Sequence, residues 1–165
     1  TPDKNLVQWV AKQVPEKEIV AYDGVCPTHD VLRHASVART HQEYPKAVII
    51  AHPECREDVV KAAHEVCSTT GMIDAVGRYP EVKTFIIATE EGMIHQLKKH
   101  YPHQEFVPAD GCIGCRLHCP YMKVTGLQDV YFSLSDERFE IELDNDVIVG
   151  AQRALERMMT VPRDD

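Results

Sequence analysis

The chain has 165 residues, of which 44% are hydrophobic and 27% are charged, and its formal net charge is −8. This composition is typical of a globular domain, and its acidic balance argues against nonspecific binding of nucleic acid or anionic lipid, since no basic surplus exists to displace counterions. No stretch approaches the roughly 20 apolar residues of a membrane helix, and no signal-peptide pattern opens the chain, so we expect a cytoplasmic protein.

The first predicted elements alternate between helix and strand. Residues 5–14 predict an amphipathic helix that Pro15 ends. Residues 18–22 predict a strand, and residues 29–44 predict a helix. Residues 47–51 are short and apolar on both faces, which is typical of a buried parallel strand.

The later elements continue this alternation. Helices are predicted at residues 57–66, 68–79, 92–100 and 144–159, and strands at residues 84–88 and 105–108. Such a sequence of short apolar strands and helices favours a parallel sheet that is covered on both faces. The predicted fold class is therefore α/β, built from three-layer αβα units with short parallel sheets.

A histidine and a carboxylate directly follow the predicted strand at residues 47–51. In open parallel sheets, ligands bind beyond the carboxyl ends of the strands, which is where His52 and Glu54 would lie. There they could act as general acid and base or orient a substrate. The alternative is structural, with Pro53 ending the strand and Glu54 as a solvated start to the next helix.

The segment at residues 68–71, Ser-Thr-Thr-Gly, opens a predicted helix. The hydroxyls of Ser68 and Thr69 and the unbonded N–H groups of a helix start can bind a phosphate or a carboxylate. The alternative is a simple N-cap, which Ser and Thr commonly provide, and both roles can coexist.

The six cysteines are more plausible as metal ligands, redox groups or buried small residues than as a disulfide framework in a reducing compartment. His29 follows Cys26 by three residues, so both could ligate a metal, or His29 could be a polar surface residue at a helix start. Cys55 and Cys67 have no partner at ligand spacing, and His118 beside Cys119 carries little weight.

The cluster of Cys112, Cys115 and Cys119, closed by Pro120, resembles the last part of a ferredoxin-type run. Cys112 and Cys115 could form a redox dithiol, and the three together with Cys26 could make a closed four-thiolate zinc or iron–sulfur site. A closed site would be structural or electron-carrying. A site with only three protein thiolates would leave a metal position open to substrate.

Six motifs of the chain, in their order and approximate spacing, resemble those of the quinolinate synthases. They are Pro2-Asp3-Lys4-Asn5-Leu6, Cys26-Pro27-Thr28-His29-Asp30, His52-Pro53-Glu54-Cys55, Ser68-Thr69, Thr89-Glu90-Glu91-Gly92 and Cys119-Pro120-Tyr121-Met122-Lys123. The resemblance implies an enzyme of de novo NAD synthesis, a transferase that condenses iminoaspartate with dihydroxyacetone phosphate to quinolinate, with loss of water and phosphate. It also implies a functional link to the enzyme that supplies iminoaspartate.

The resemblance implies a [4Fe-4S] cluster whose fourth iron is open to substrate as a Lewis acid. Three similar α/β units around a pseudo-threefold axis would each give one cysteine. In this chain Cys26 and Cys119 would be ligands of the second and third units, and Cys112 and Cys115 would be a reversible redox pair.

The resemblance also assigns the remaining site residues and the organisation of the chain. His29, His52 and Glu54 would contact substrate and act in acid–base steps, with Glu54 as the main proton carrier, and Ser68 and Thr69 would bind a substrate anion. Residues 1–28 would end the second α/β unit, residues 29–125 would form the third, and residues 126–165 would form a C-terminal segment. One unit would thus be complete and one truncated, as in a C-terminal fragment that is poorly active without the N-terminal part of the same enzyme.

Overall fold

The structure is a computed structural model that describes residues 2–110 and 117–161. The chain divides into two compact units, with the boundary after Tyr121. The first contains α1 (Lys4–Gln13), α2 (Pro27–Asp30), α3 (His34–Glu43), β1 (Val48–Ala51), α4 (Glu57–Ala62), β2 (Glu65–Val66), α5 (Thr69–Gly77), β3 (Thr84–Ala88), α6 (Gly92–His100) and β4 (Glu105–Pro108). A 3₁₀ turn at Tyr121–Lys123 is followed by α7 (Leu127–Ser135) and α8 (Asn145–Met159).

A four-stranded parallel sheet in the order β2-β1-β3-β4 forms the centre of the first unit. The two central strands pair in register from Val48 opposite Phe85 to Ala51 opposite Ala88. Every residue of β1 is buried, as are the last four residues of β3. The continuous apolar runs of the sequence therefore mark strands that are covered on both faces, as predicted.

The two faces of the sheet carry different helices. Because strand side chains alternate, Ile49 and Ile86 lie in the core beside α3 and α4, whereas Ile50 and Ile87 lie in the core beside α5 and α6. The predicted three-layer α/β fold is confirmed. The division of residues 1–28 and 29–125 between two repeats stays a prediction.

The chain leaves β1 and β3 toward opposite faces of this sheet. The helix that follows β1 is α4, whose Val59 lies in one core, and the helix that follows β3 is α6, whose Leu97 lies in the other. The carboxyl ends of these two strands are therefore the position where such sheets bind ligands.

The second unit consists of α7 and α8. The predicted terminal helix is confirmed, with Asp144 as its N-cap residue, whereas α7 was not predicted. None of the described residues of this unit is buried. Over the described ranges of the chain, no helix combines the length and apolar character that crossing a bilayer requires.

The strand predicted at residues 18–22 does not form. A strand needs a neighbour to complete its backbone hydrogen bonds, and the described sheet does not include this segment. The exposed fractions of Val20 and Tyr22 are 78% and 72%, so the apolar residues that suggested a strand contribute little to the core of this chain.

Two predicted helices are shorter than expected. The helix predicted at residues 29–44 is interrupted at residues 31–33, where the chain turns so that Leu32 enters the core while Val31 stays exposed. The helix predicted at residues 57–66 ends at Ala62, because the chain becomes extended at Ala63 and then enters β2 beside β1.

Candidate functional site

Three of the predicted site residues come together at the carboxyl edge of the sheet. The rings of His29 and His52 stack with their centroids 4.6 Å apart and their planes 15° apart. Glu54 lies against both, with its Oε2 atom 3.1 Å from Nδ1 of His29 and 3.5 Å from Nδ1 of His52. The geometry of the first unit thus brings His29, His52 and Glu54 together, and their roles in substrate binding and proton transfer stay predictions.

The end of β3 completes this group through Thr89. Its Oγ1 atom lies 2.9 Å from Nε2 of His29, whose exposed fraction is 7%. An ionised Glu54 can only accept hydrogen bonds, so we assign the proton of His29 to Nδ1, and Nε2 then accepts from the hydroxyl of Thr89. His29 is therefore held from both sides of its ring.

His52 has the opposite tautomer. The backbone N–H of Glu54 donates to Nδ1 of His52 at 3.3 Å, so Nδ1 is the acceptor. A neutral imidazole then carries its proton on Nε2. The two stacked histidines consequently offer different groups, because the N–H of His29 points to Glu54 while the N–H of His52 is on its other ring nitrogen.

Burial shifts the proton affinities of all three groups. It lowers the pKa of His29 to about 4, with a further contribution from His52, and Asp3 and Glu90 only partly oppose this. Burial also lowers the pKa of His52. For Glu54, burial and the nearby charge of Asp3 raise the pKa. At neutral pH both imidazoles are therefore neutral, and Glu54 is closer to protonation than an exposed carboxylate is.

Cys26 lies directly against this group. Its Sγ atom is 3.1 Å from Nδ1 of His29. One candidate ligand atom from each of Cys26, His29 and Glu54 lies within 4.8 Å of the other two. Burial raises the pKa of the Cys26 thiol, and the charges of Glu54 and Cys119 add to this rise. The influence of Cys119 on Cys26 indicates that the two predicted ligand cysteines lie in the same region.

These thiols fit an iron–sulfur centre. Cys26 is half-buried and Cys119 is buried, and a thiolate at such a depth needs a nearby positive charge. Soft thiolate ligands select iron–sulfur clusters, copper(I) or zinc, and a bound metal supplies the missing charge and deprotonates the thiol. The donor set of Cys26 and Cys119 therefore suits the predicted cluster as two of its ligands.

Asn5 in α1 and Asp3, the N-cap residue of α1, support the site. The side-chain amide of Asn5 donates to the Glu54 carbonyl at 3.2 Å and to Asp30 Oδ1 at 3.1 Å. Asp3 accepts the backbone N–H of Cys26 at 2.7 Å. Asn5, Asp3 and Thr89 lie in motifs that the sequence analysis recognised, but it gave them no role.

Ser68 caps α5 at the same edge of the sheet. Its hydroxyl accepts the backbone N–H of Gly71 at 3.2 Å, which confirms the N-cap interpretation. Ser68 and Thr69 are both exposed. Because β1 and β2 are parallel neighbours, the segment after β2 and the segment with His52 leave the sheet on the same side.

The remaining cysteines and His118 have other environments. Cys55 is buried, its thiol donates to the Ala88 carbonyl at 3.2 Å, and burial raises its pKa to about 12. Cys67 packs against the core beside α5. His118 contacts Glu91 at 2.7 Å between Nδ1 and Oε1. Cys112 and Cys115 lie outside the described residues.

Comparison with known proteins gives one family. The family model described as quinolinate synthetase A protein matches residues 1–160. The chain is similar to the quinolinate synthase of Thermodesulfovibrio yellowstonii, with 39% identity over 97% of this chain and 51% of that protein. It is also similar to the quinolinate synthases of Geobacter metallireducens, at 43% identity over 99% and 52%, and Caldicellulosiruptor bescii, at 41% over 96% and 50%. The chain spans about half the length of the curated relatives it matches.

Proposed function

The chain belongs to the quinolinate synthetase A family, and from this premise we propose that it is part of a quinolinate synthase. The proposed reaction condenses iminoaspartate with dihydroxyacetone phosphate to quinolinate, with loss of water and phosphate, in the synthesis of NAD. The observation that carries the proposal is the stacked pair of His29 and His52 around Glu54, directly beside Cys26. The proposed partners are the part of the full-length protein that this chain does not cover and, functionally, the enzyme that supplies iminoaspartate.

Cys26 and Cys119 are the proposed ligands that this chain gives to a [4Fe-4S] cluster. We place the third cysteine in the part of the full-length protein that this chain does not cover. When bound, the cluster supplies a Lewis acid that polarises a substrate oxygen and makes a hydroxyl a better leaving group.

Glu54 is the proposed proton carrier. Its raised pKa brings it closer to the range in which a carboxyl group both accepts and donates protons near neutral pH. His29 holds the Oε2 atom of Glu54 by its Nδ1–H and is itself fixed by Thr89. Because burial keeps His29 neutral, the contact orients the carboxylate without the strong stabilisation that an imidazolium would give.

His52 is the proposed donor to substrate. Its Nδ1 atom is occupied by the N–H of Glu54, and its proton is on Nε2. A neutral imidazole N–H can donate a hydrogen bond to a developing oxyanion and so stabilise it. The stacking on His29 keeps the ring plane fixed for this role.

Ser68 and Thr69 are the proposed ligands for a substrate anion at the start of α5. We expect the Ser68→Ala variant of the full-length protein to raise the KM for the phosphorylated substrate, because a hydroxyl and the cap that orders the helix start are both lost. Loss of the cap alone costs about 1 kcal/mol of stability. Steady-state kinetics at varied dihydroxyacetone phosphate would measure the change.

The matched control is Ser68→Gly, which keeps stability within a few tenths of a kcal/mol but also removes the hydroxyl. If the hydroxyl binds the anion, both variants raise KM. A normal KM in Ser68→Gly together with a raised one in Ser68→Ala would show that only the helix cap matters.

The proposal is tested by assaying quinolinate formation from iminoaspartate and dihydroxyacetone phosphate. We expect the anaerobically prepared full-length protein to form quinolinate, and the 165-residue chain, given iron and sulfide under the same conditions, to form it poorly, because the chain lacks one proposed ligand and part of the site. An enzyme-like rate from the chain alone would contradict this division of the site. No product from the full-length protein would overturn the proposed function.

A further inference from the structure

Each of the two proposed cluster cysteines donates its backbone N–H to a buried carboxylate from a distant part of the chain. The N–H of Cys26 donates to Oδ2 of Asp3 at 2.7 Å, and that of Cys119 donates to Oε1 of Glu90 at 3.4 Å. The exposed fractions of Asp3 and Glu90 are 4% and 6%. Carboxylates are seldom buried this deeply, because burying their charge is costly, so these two have a specific structural role.

The second oxygen of each carboxylate binds the start of a helix. Oδ1 of Asp3 accepts the backbone N–H of Leu6 in the first turn of α1, at 2.8 Å. Oε2 of Glu90 accepts the N–H of Gly92, the first residue of α6, at 2.7 Å. The partial positive charge of a helix N-terminus stabilises a buried carboxylate. Each carboxylate thus joins the start of a helix to the backbone of one cysteine.

Proline fixes the other side of both cysteines. Pro27 follows Cys26, and Pro120 follows Cys119. A residue before proline is restricted to extended conformations, and Cys26 has φ −73° and ψ 113°. Because its N–H is bound to a carboxylate and its carbonyl carbon is bonded to the proline nitrogen, the backbone of each cysteine can adopt few other conformations. The direction of the Cα–Cβ bond, and so the position of the thiol, is set accordingly.

We propose that Asp3 and Glu90 are positioning residues that hold Cys26 and Cys119 in the geometry for binding the iron–sulfur cluster. This inference depends on the proposed function, since it assumes that the two cysteines are ligands. The same arrangement of capping carboxylate, cysteine N–H and following proline occurs twice in one chain. Capping a helix requires only one carboxylate oxygen. The bond from the other oxygen to the cysteine N–H therefore has a purpose besides capping.

The test measures how fast the full-length holoprotein loses its cluster to an iron chelator, followed by visible absorption without oxygen. We expect Asp3→Ala to lose the cluster about 10–100-fold faster than the parent, which is the usual effect of removing a group that orients a metal ligand. Glu90→Ala should act in the same direction but less strongly, because its bond to the cysteine is longer. The electron paramagnetic resonance spectrum of the reduced cluster should broaden in both variants, since the thiol then takes more than one orientation.

Two further kinds of variant separate positioning from general destabilisation. Asp3→Asn and Glu90→Gln keep the side-chain volume but can accept with only one oxygen, so their rates should lie between those of the parent and the alanine variants. Tyr101→Phe removes a hydrogen bond of the same unit, from the Tyr101 hydroxyl to the Ile73 carbonyl at 2.9 Å, that does not involve a proposed ligand cysteine, and it should leave the rate of cluster loss unchanged. If Asp3→Ala and Glu90→Ala, or their amide variants where alanine prevents folding, lose the cluster no faster than Tyr101→Phe, the inference is wrong.

Failure of the proposed ligand assignment is detected separately. Cys26→Ser and Cys119→Ser are prepared in parallel. If they keep the cluster, the ligand assignment fails, and the inference fails with it. If they lose the cluster while the carboxylate variants behave like Tyr101→Phe, only the positioning role is refuted.

Discussion

The Glu54→Gln variant of the full-length protein is expected to lose quinolinate-forming activity by a factor of about 10²–10⁴, the usual contribution of a general acid or base. Glutamine keeps the volume of Glu54 and can still accept the N–H of His29, but it cannot take up or release a proton. The loss should therefore appear in kcat, with little change in KM and with normal cluster content. Steady-state kinetics together with iron and sulfide analysis would measure all three.

Glu57→Gln is the matched control for this variant. Glu57 lies three residues further along the chain, is exposed, and bonds Lys12 and Lys61 at 2.7 and 3.0 Å. Its replacement should leave activity unchanged, since a surface ion pair contributes little. If Glu54→Gln keeps activity within about tenfold of the parent, another group carries the proton and the role proposed for Glu54 is wrong.

Replacement of either Cys26 or Cys119 by serine should abolish cluster binding by the full-length protein and reduce its activity to background. A serine hydroxyl does not replace a thiolate as a soft ligand, and the remaining ligands would hold an incomplete cluster. The loss should be visible as the disappearance of the broad visible absorption and of bound iron. Cys67→Ser, which changes a half-buried cysteine beside α5, should retain both.

The double variant Cys112→Ser with Cys115→Ser distinguishes the proposed cluster site from a closed four-thiolate module, and metal analysis distinguishes it from a zinc-stabilised domain. A closed four-thiolate module would lose its metal in the double variant, whereas the proposed site should keep its cluster. A zinc-stabilised domain would contain zinc instead of iron and would have no visible absorption, because zinc is a d¹⁰ ion. Loss of the cluster in the double variant would favour the closed module.

The parts of the site that could be predicted from the sequence follow strong local patterns. The apolar run at β1 identified a buried strand, and parallel topology then placed His52 and Glu54 at the edge where ligands bind. Ser68 was predicted as a helix cap from residue type alone, and its bond to Gly71 confirms this. In both cases the information lies within a few residues of the chain.

The parts that were missed depend on contacts between distant residues. The bond between Asp3 and Cys26 joins positions 23 residues apart, and that between His29 and Thr89 joins positions 60 apart. Only the strand order brings Thr89 beside His29, and that order was not predictable from periodicity. The strand β2 has only two residues, Glu65 and Val66, which is too short for an alternating pattern to be visible.

The error at residues 18–22 has the opposite origin. The local pattern resembled a strand, but strand formation also requires a neighbour, and the described sheet has none beside this segment. Helix α7 was missed because its start, at Leu127 after Gly126, has no Ser or Thr cap; Asp129 supports it instead by accepting the N–H of Gly126 at 2.8 Å.

We propose that Cys26 and Cys119 together bind iron at the edge of the sheet where His29 and Glu54 lie. Anomalous diffraction at the iron absorption edge, from crystals of the full-length holoprotein grown without oxygen, would test it most directly. We expect an iron peak within bonding distance of Sγ of both Cys26 and Cys119, at the edge of the sheet where the His29 and Glu54 side chains lie. A peak bound by Cys112 and Cys115, or no iron beside Cys26, would contradict it.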